Sequence, residues 1–478
     1  MKSVTGGRLA LLLGPDVLSS SPAYLALADG IRHVITDGRV SPGTRLPSER
    51  ELTAALGTSR TTVTGAYREL KERGYLMARQ GSGSVASLPG GGGEVAHRAL
   101  IPRSADADAI DLTCATSPAA PGVAGAFASA LEVLPRWLTT GGYDAAGLEE
   151  LRVAIADRYV ERGLPTTADQ IVVTTGAAAA LAVVLRALVR TGDRMLFETP
   201  TYPNAVDTAM HTGARLTAYP LDPEGWDLDL LDATLRQTAP RVAFLIPDFH
   251  NPTGLMMSAA DRETAARVLR RHRTTTIIDE TMAEIALTDE PAPAPFAAHH
   301  DEAITIGSMS KAYWGGLRVG WIRAPQALVT SLVESRATFD LSTPVLEQLA
   351  SARLLERRHE ILPEWLGRLR ERRDTLVDGL RAELPDWDVP SPAGGLSLWC
   401  RLPERISTRL VATGERHGVY LAAGPRFGIE GGFEQYLRIP FGSEPDVLRE
   451  AVPRIAAAYD EAFTSTAEAR TTRRPLIA

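Results

Sequence analysis

Within residues 22–88, three short segments place apolar residues at helical spacing, and two strand-like runs follow around a glycine turn. Beyond residue 111, helix-period stretches alternate instead with short apolar strands. These two patterns predict two fold classes in one chain: a mostly α winged helix-turn-helix, then a larger α/β domain on a mostly parallel sheet. The length of 478 residues, with 44% hydrophobic and 23% charged composition, agrees with more than one packed core. Net charge is -7, so the chain as a whole has no basic excess. The distribution is uneven: residues 20–90 hold nine Lys/Arg against six Asp/Glu, and residues 91–478 hold 40 against 51. The positive excess that a polyanion requires is confined to the first segment.

Residues 1–21 read as an N-terminal extension. Pro22 suits the first turn of a helix in which Leu27, Ile31, Val34 and Ile35 share a face, and Gly38 ends it. Ser48 caps a second helix, with Glu51 reaching back in a capping box and Leu52, Ala55 and Leu56 turned inward as far as Gly57. A third helix from about Ser59 to Gly74 buries Val63, Ala66, Tyr67 and Leu70 and leaves Arg60, Thr61, Thr64, Arg68 and Lys71 outside. Residues 75–86 form the wing, with Gln80-Gly81-Ser82-Gly83 at its tip. A helix-turn-helix sends the start of its second helix into the major groove. Ser59, Arg60, Thr61 and Thr62 are therefore candidate contacts to double-stranded DNA, with Arg50 and Gly81 near the flanking phosphates.

Residues 89–110, opening with Pro89 and four glycines, read as a flexible linker, and 464–478 as a loose tail. Between them, Leu148, Leu151, Ile155 and Tyr159, then Leu181, Leu185 and Leu188, mark helices. Strands are expected at Ile171–Thr174, Met195–Glu198, Val242–Ile246, Thr276–Asp279, Ala303–Ile306 and Val319–Ile322. Ligands of such sheets bind beyond the carboxyl ends of the strands. Two cysteines, Cys114 and Cys400, exclude a disulfide framework and a multi-cysteine metal site, so no metal is expected. The apolar run Leu9–Leu13 is shorter than a secretory core and far short of the ~20 residues that span a bilayer. The expectation is a cytoplasmic protein without membrane contact.

The strand ends carry a particular set of groups. Lys311 lies in Gly307-Ser308-Met309-Ser310-Lys311, with Arg318 seven residues on; Gly176-Ala177 opens a helix; Asp279 ends an apolar strand; Asn251 begins Asn-Pro-Thr-Gly; Tyr202 follows another strand. A lysine for a Schiff base, a carboxylate for a ring nitrogen, an amide for a phenolate oxygen, an aromatic ring for stacking and an anion cradle are what pyridoxal phosphate chemistry requires.

Two resemblances follow. Residues 42–52 (PGTRLPSEREL), Ser59-Arg60-Thr61-Thr62-Val63, Gly74-Tyr75 and the wing tip resemble the winged helix of GntR-type bacterial transcription regulators over about residues 22–87. That resemblance implies operator contacts by Arg50, Arg60 and Gly81, while Thr64 stands where some members carry a basic residue. Residues 111–463 resemble fold-type I aminotransferases, with a large domain over about 141–325 and a small one from 111–140 and 326–463. It implies that Lys311 holds pyridoxal phosphate as a Schiff base (aldimine), Asp279 pairs with the ring nitrogen, Asn251 meets the ring hydroxyl and Tyr202 stacks. Gly176, Ala177, Ser308 and Arg318 take the phosphate, Tyr143 reaches the phosphate of a neighbouring subunit, and Arg438 clamps an effector's carboxylate.

Together the halves resemble the MocR subfamily of GntR regulators. This implies a homodimeric transcription regulator that senses pyridoxal phosphate or an amino compound. The alternative is an active aminotransferase with an accessory DNA-binding domain. Asp279-Glu280-Thr281-Met282 lacks the tyrosine that many relatives carry after the aspartate, which implies at most weak or partial transamination. Asn204, where a γ-aminobutyrate-sensing regulator is basic, disfavours a γ-amino acid, and His250 reads as a structural histidine.

Overall fold

A computed structural model of the protein describes residues 3–15, 17–18, 22–36, 40, 44–79, 83–87, 108–429 and 431–471. The expected helix stop at Gly38, the wing tip at Gly81 and all but the end of the expected linker fall outside them. The chain divides into two compact units, residues 1–111 with 401–437 and 450–478, and residues 112–400 with 438–449.

The first unit begins with α1 (Gly6–Leu13), α2 (Ala23–Thr36), α3 (Glu49–Leu56), α4 (Arg60–Glu72), β1 (Leu76–Arg79) and β2 (Gly83–Ala86). The apolar stripe expected on α2 and α4 is the core: Leu27, Ile31, Val34, Ile35, Val63, Ala66, Tyr67 and Leu70 are all buried. Leu9 of α1 joins them, so part of the expected extension packs into this core. Ser48 caps α3 by accepting the Glu51 N–H at 3.2 Å, and Gly57 closes the helix at φ 60°. The Glu51 carboxylate does not complete the capping box. It accepts the Gly6 N–H at 2.7 Å, because α1 presents an unpaired helix donor there. Leu52 is buried, but Ala55 is exposed and Leu56 only half-buried, since eight residues allow one turn to face inward. β1 and β2 pair antiparallel, and Leu46 N–H donates to Ser84 O at 2.9 Å while Ala86 N–H donates to Thr44 O at 2.9 Å, which adds an edge to the wing. Later in the same unit, β3 (Ile110–Asp111) runs parallel to residues 419–420.

In the second unit follow α5 (Val123–Val133), α6 (Glu149–Glu161), β4 (Ile171–Thr174), α7 (Ala177–Leu188), β5 (Arg194–Thr199), α8 (Pro203–His211), β6 (Arg215–Pro220) and α9 (Leu228–Thr238). Then come β7 (Val242–Leu245), α10 (Ala259–Arg271), β8 (Thr275–Asp279), β9 (Ile304–Ser308), α11 (Met309–Ala312), β10 (Gly320–Arg323), α12 (Gln326–Ala337), α13 (Val345–Glu356) and α14 (Arg358–Glu383). Seven strands make one sheet in the order β4-β10-β9-β8-β7-β5-β6, with β10 antiparallel to both neighbours and the other pairs parallel. All six expected strands are in it. The seventh, β6, was not expected: as an edge strand it is largely half-buried or exposed and has no continuous apolar run.

The remaining labelled elements are β11 (Ser397–Arg401), α15 (Ser407–Arg416), β12 (Val419–Tyr420), β13 (Ala422–Ala423), β14 (Tyr436–Pro440) and α16 (Pro445–Thr471). The expected loose tail is thus helical as far as Thr471. Its alanines, glutamate and arginine propagate a helix already nucleated by a packed stem. Among the described residues no helix is long and apolar enough to cross a membrane.

Candidate functional site

On the surface expected to read DNA, Ser59 caps α4 by accepting the Thr62 N–H at 3.1 Å, and its hydroxyl lies 2.7 and 2.8 Å from those of Thr61 and Thr62. These hydroxyls form a hydrogen-bonded cluster at the helix start. Arg50, Ser59, Arg60 and Thr61 are exposed, and Thr62 is half-buried. Thr64 donates to Glu49 at 2.7 Å, tying α4 back to α3. The buried side of α4 is anchored by Tyr67, which donates to Pro47 O at 2.8 Å.

The second unit gathers most of the remaining site residues at the carboxyl ends of its strands. β9 ends at Ser308, whose hydroxyl accepts the Ser310 N–H at 3.1 Å and donates to Val319 O at 3.3 Å. The turn it caps carries Lys311, whose Nζ donates to Ala115 O at 2.7 Å. Burial and the charge of Arg438 lower the Lys311 pKa from 10.5 to about 8, with Cys114 and Asp279 opposing. At the end of β8, burial pushes the Asp279 carboxyl up, while hydrogen bonds from Thr281, then Lys311 and His250, pull it down. The Thr281 N–H donates to Asp279 at 2.9 Å. Tyr202, after β5, is pushed up to about 12 by burial and by Asp279, with Arg438 opposing.

Arg438 is 1% exposed; it donates to Thr113 O and, at 3.3 Å, to the Asn251 side-chain oxygen. That contact turns the amide oxygen of Asn251 toward Arg438 and leaves its NH2 end as the donor for another acceptor. At the start of α7, Gly176 has φ 96°, and a Cβ there would sit 2.9 Å from Arg318 Nη2. Arg318 in turn donates to Thr175 O at 3.1 Å. Glycine thus opens an anion cradle between a guanidinium and the N–H groups of a twelve-residue helix.

An amine of lowered basicity, a buried carboxylate, an amide donor and a helix-plus-arginine cradle are a donor set that fits pyridoxal phosphate. Lys311, Asp279, Asn251, Tyr202, Arg318 and Arg438 are brought together; Gly176 and Ala177 sit at the cradle, and Ser308 beside the lysine turn. Tyr143 is not brought to them and is 75% exposed. His250 is buried, 3.3 Å from Glu198 and 2.9 Å from the Thr253 hydroxyl. The sequence did not assign the carbonyls of Thr113 and Ala115 or the Cys114 thiol to this site, and it named Thr281 only within the run that lacks the relatives' tyrosine. Carbonyls carry no residue signature, and Cys114 stands in no motif.

The model of aminotransferase class I and II matches residues 139–455, and that of bacterial regulatory proteins of the gntR family matches residues 23–85. The chain is 27% identical over 416 residues to the uncharacterized HTH-type transcriptional regulator YisV of Bacillus subtilis, covering 80% of this chain and 85% of that one. It is 26% identical over 468 residues to the probable rhizopine catabolism regulatory protein MocR of Rhizobium meliloti, covering 92% and 94%. Among solved structures, the α-aminoadipate aminotransferase LysN of Thermus thermophilus, complexed with N-(5'-phosphopyridoxyl)-L-leucine, superimposes with a TM-score of 0.69 at 25% identity, over 75% of this chain and 94% of that one.

Proposed function

Because the chain belongs to the aminotransferase class I and II family and joins to that domain a DNA reader of the gntR regulatory family, we propose a pyridoxal phosphate-dependent transcription regulator. It reads operator DNA through Arg50, Ser59, Arg60, Thr61, Thr62 and Gly81, and senses the cofactor or an amino compound at Lys311. One observation carries this reading: the chain that presents an exposed Arg60 at a helix-turn-helix also sets a half-buried lysine in the field of Arg438, Asp279 and Arg318. Regulators matched along most of their length support it. The assigned limits are a reader over 22–88, a linker over 89–110 and a sensor over 111–463.

When bound, pyridoxal phosphate supplies an aldehyde that condenses with amines and a ring that withdraws electrons. Lys311 would hold the aldehyde carbon, Asp279 the ring nitrogen and Asn251 the ring hydroxyl. Tyr202 would cover the ring face, and Gly176, Ala177, Ser308 and Arg318 would hold the phosphate. The lowered pKa of Lys311 enlarges its neutral fraction, the form whose lone pair is nucleophilic. Arg438, oriented by Thr113 and Asn251, presents a guanidinium to the carboxylate of an amino compound. Such a ligand changes DNA binding only through unequal affinity for two states of the protein. Tyr143 is assigned to the phosphate of a second copy in a homodimer, a role that its exposure permits.

An active aminotransferase is the second reading, favoured by the convergence of Lys311, Asp279, Asn251 and Arg438 on one site. The lack of a tyrosine in Asp279-Glu280-Thr281-Met282 opposes it. Wild-type protein with pyridoxal phosphate is expected to show a visible absorbance band that Lys311→Ala abolishes. A colourless wild type contradicts the sensor assignment, and steady multiple turnover of amino donors with keto acids favours the second reading.

A further inference from the structure

The first compact unit holds a cavity of about 620 Å³ whose lining includes none of the candidate cofactor residues. Its volume lies within the ~300–1,000 Å³ common for small-molecule sites. Its lining includes the end of α1 and the chain after it, with Leu11, Leu12 and Val17, and the start of α15 with Arg405 just before it. Leu11 is 75% exposed although it lines the cavity, so apolar surface remains uncovered there.

The carboxylates in the walls already have donors. Asp29 lies 3.5 Å from both Arg32 and Arg73, and Glu434 accepts the Thr408 N–H at 2.9 Å and its hydroxyl at 2.8 Å. Glu461 pairs with Arg416 and, at 2.8 Å, with His417. Arg405 differs: its exposed guanidinium has no ion pair or hydrogen bond among the described residues. Uncovered apolar surface and an uncommitted cation in the lining of one cavity select one ligand chemistry.

We propose that this cavity binds an amphipathic organic anion, its apolar body against Leu11, Leu12 and Val17 and its carboxylate on Arg405. The ligand touches the DNA reader and α15 at once, beside the point where Arg32 of α2 reaches Glu415 of α15 at 3.9 Å. It therefore tightens the reader onto α15 independently of the lysine site, and the inference does not rest on the sensing role assigned to Lys311.

The test uses full-length protein loaded with pyridoxal phosphate and titrated with anilinonaphthalene sulfonate, an aromatic body bearing one anionic group. A saturable fluorescence rise at one probe per chain is expected, displaced by decanoate and weakened about tenfold or more by Arg405→Glu and by Leu11→Glu. Both side chains are exposed, so both variants should keep the wild-type melting temperature and visible absorbance band. Absence of saturable fluorescence, or a titration that both substitutions leave unchanged, overturns the proposal.

Discussion

Lys311 carries its amine in a place that disfavours a proton, because burial and Arg438 outweigh Cys114 and Asp279. Its pKa is about 8 in the fold against 10.5 for the free side chain, so the unfolded chain binds more protons between those values. The penalty is fully present below about pH 8 and fades toward pH 10.5, so the cofactor-free protein gains stability from this group as pH rises through that window. Lys311→Met removes the effect. Urea unfolding of both proteins, without cofactor, should show a pH-dependent gain smaller in the variant by on the order of 2–3 kcal/mol. Equal gains contradict the assignment. At Arg438, Arg438→Met should weaken an amino-acid effector about 10–100-fold while the visible absorbance band persists, measured by titrating that band with amino acids. Lys311, Asp279 and Asn251 stood out as candidates in the sequence because each lies at or just beyond an apolar strand, whereas Arg438 entered only through the family resemblance. The groups that orient them were not legible: Thr113 O and Ala115 O are main-chain atoms supplied by a segment almost 200 residues or more away in sequence from Lys311 and Arg438.

At the scale of elements, periodicity specified α2, α4, α6, α7 and the six strands expected from apolar runs, because each has one face or both faces in a core. It failed where the decision was tertiary. Glu51 had a local capping partner in prospect and took the Gly6 N–H of α1 instead. The edge strand β6 lacks the apolar run of its neighbours, and α16 outlasts the point where its sequence turns polar. The ends of β7 and β8 also rest on buried charge that no motif revealed. Arg262 and Asp248, both fully buried, pair at 2.9 Å, and Arg162 lies 3.2 Å from Glu280, the residue after Asp279. Arg262→Ala leaves Asp248 with less compensation, and we expect a loss of about 3–5 kcal/mol in chemical denaturation. A loss below about 1 kcal/mol contradicts a supporting role for the pair.

Over the whole molecule, a reader of positive local charge is joined to a larger acidic remainder, which favours contact with DNA at one place and disfavours it elsewhere. The pairing of a helix-turn-helix with an aminotransferase-like domain was legible because three helical stripes and a wing give way, beyond residue 111, to helices alternating with short apolar strands. The packing of α1 into the reader was not, since eight residues rich in glycine and leucine specify no partner. In the proposed regulator, DNA reading and cofactor binding belong to one device. Capture of genomic fragments by the full-length chain, sequenced with and without pyridoxal phosphate, tests it most directly. We expect a discrete set of fragments that Arg60→Ala loses, with an enrichment that responds to pyridoxal phosphate in the wild type and not in Lys311→Ala. Recovery of DNA that is uniform and indifferent to Arg60, or a cofactor response that survives Lys311→Ala, contradicts it.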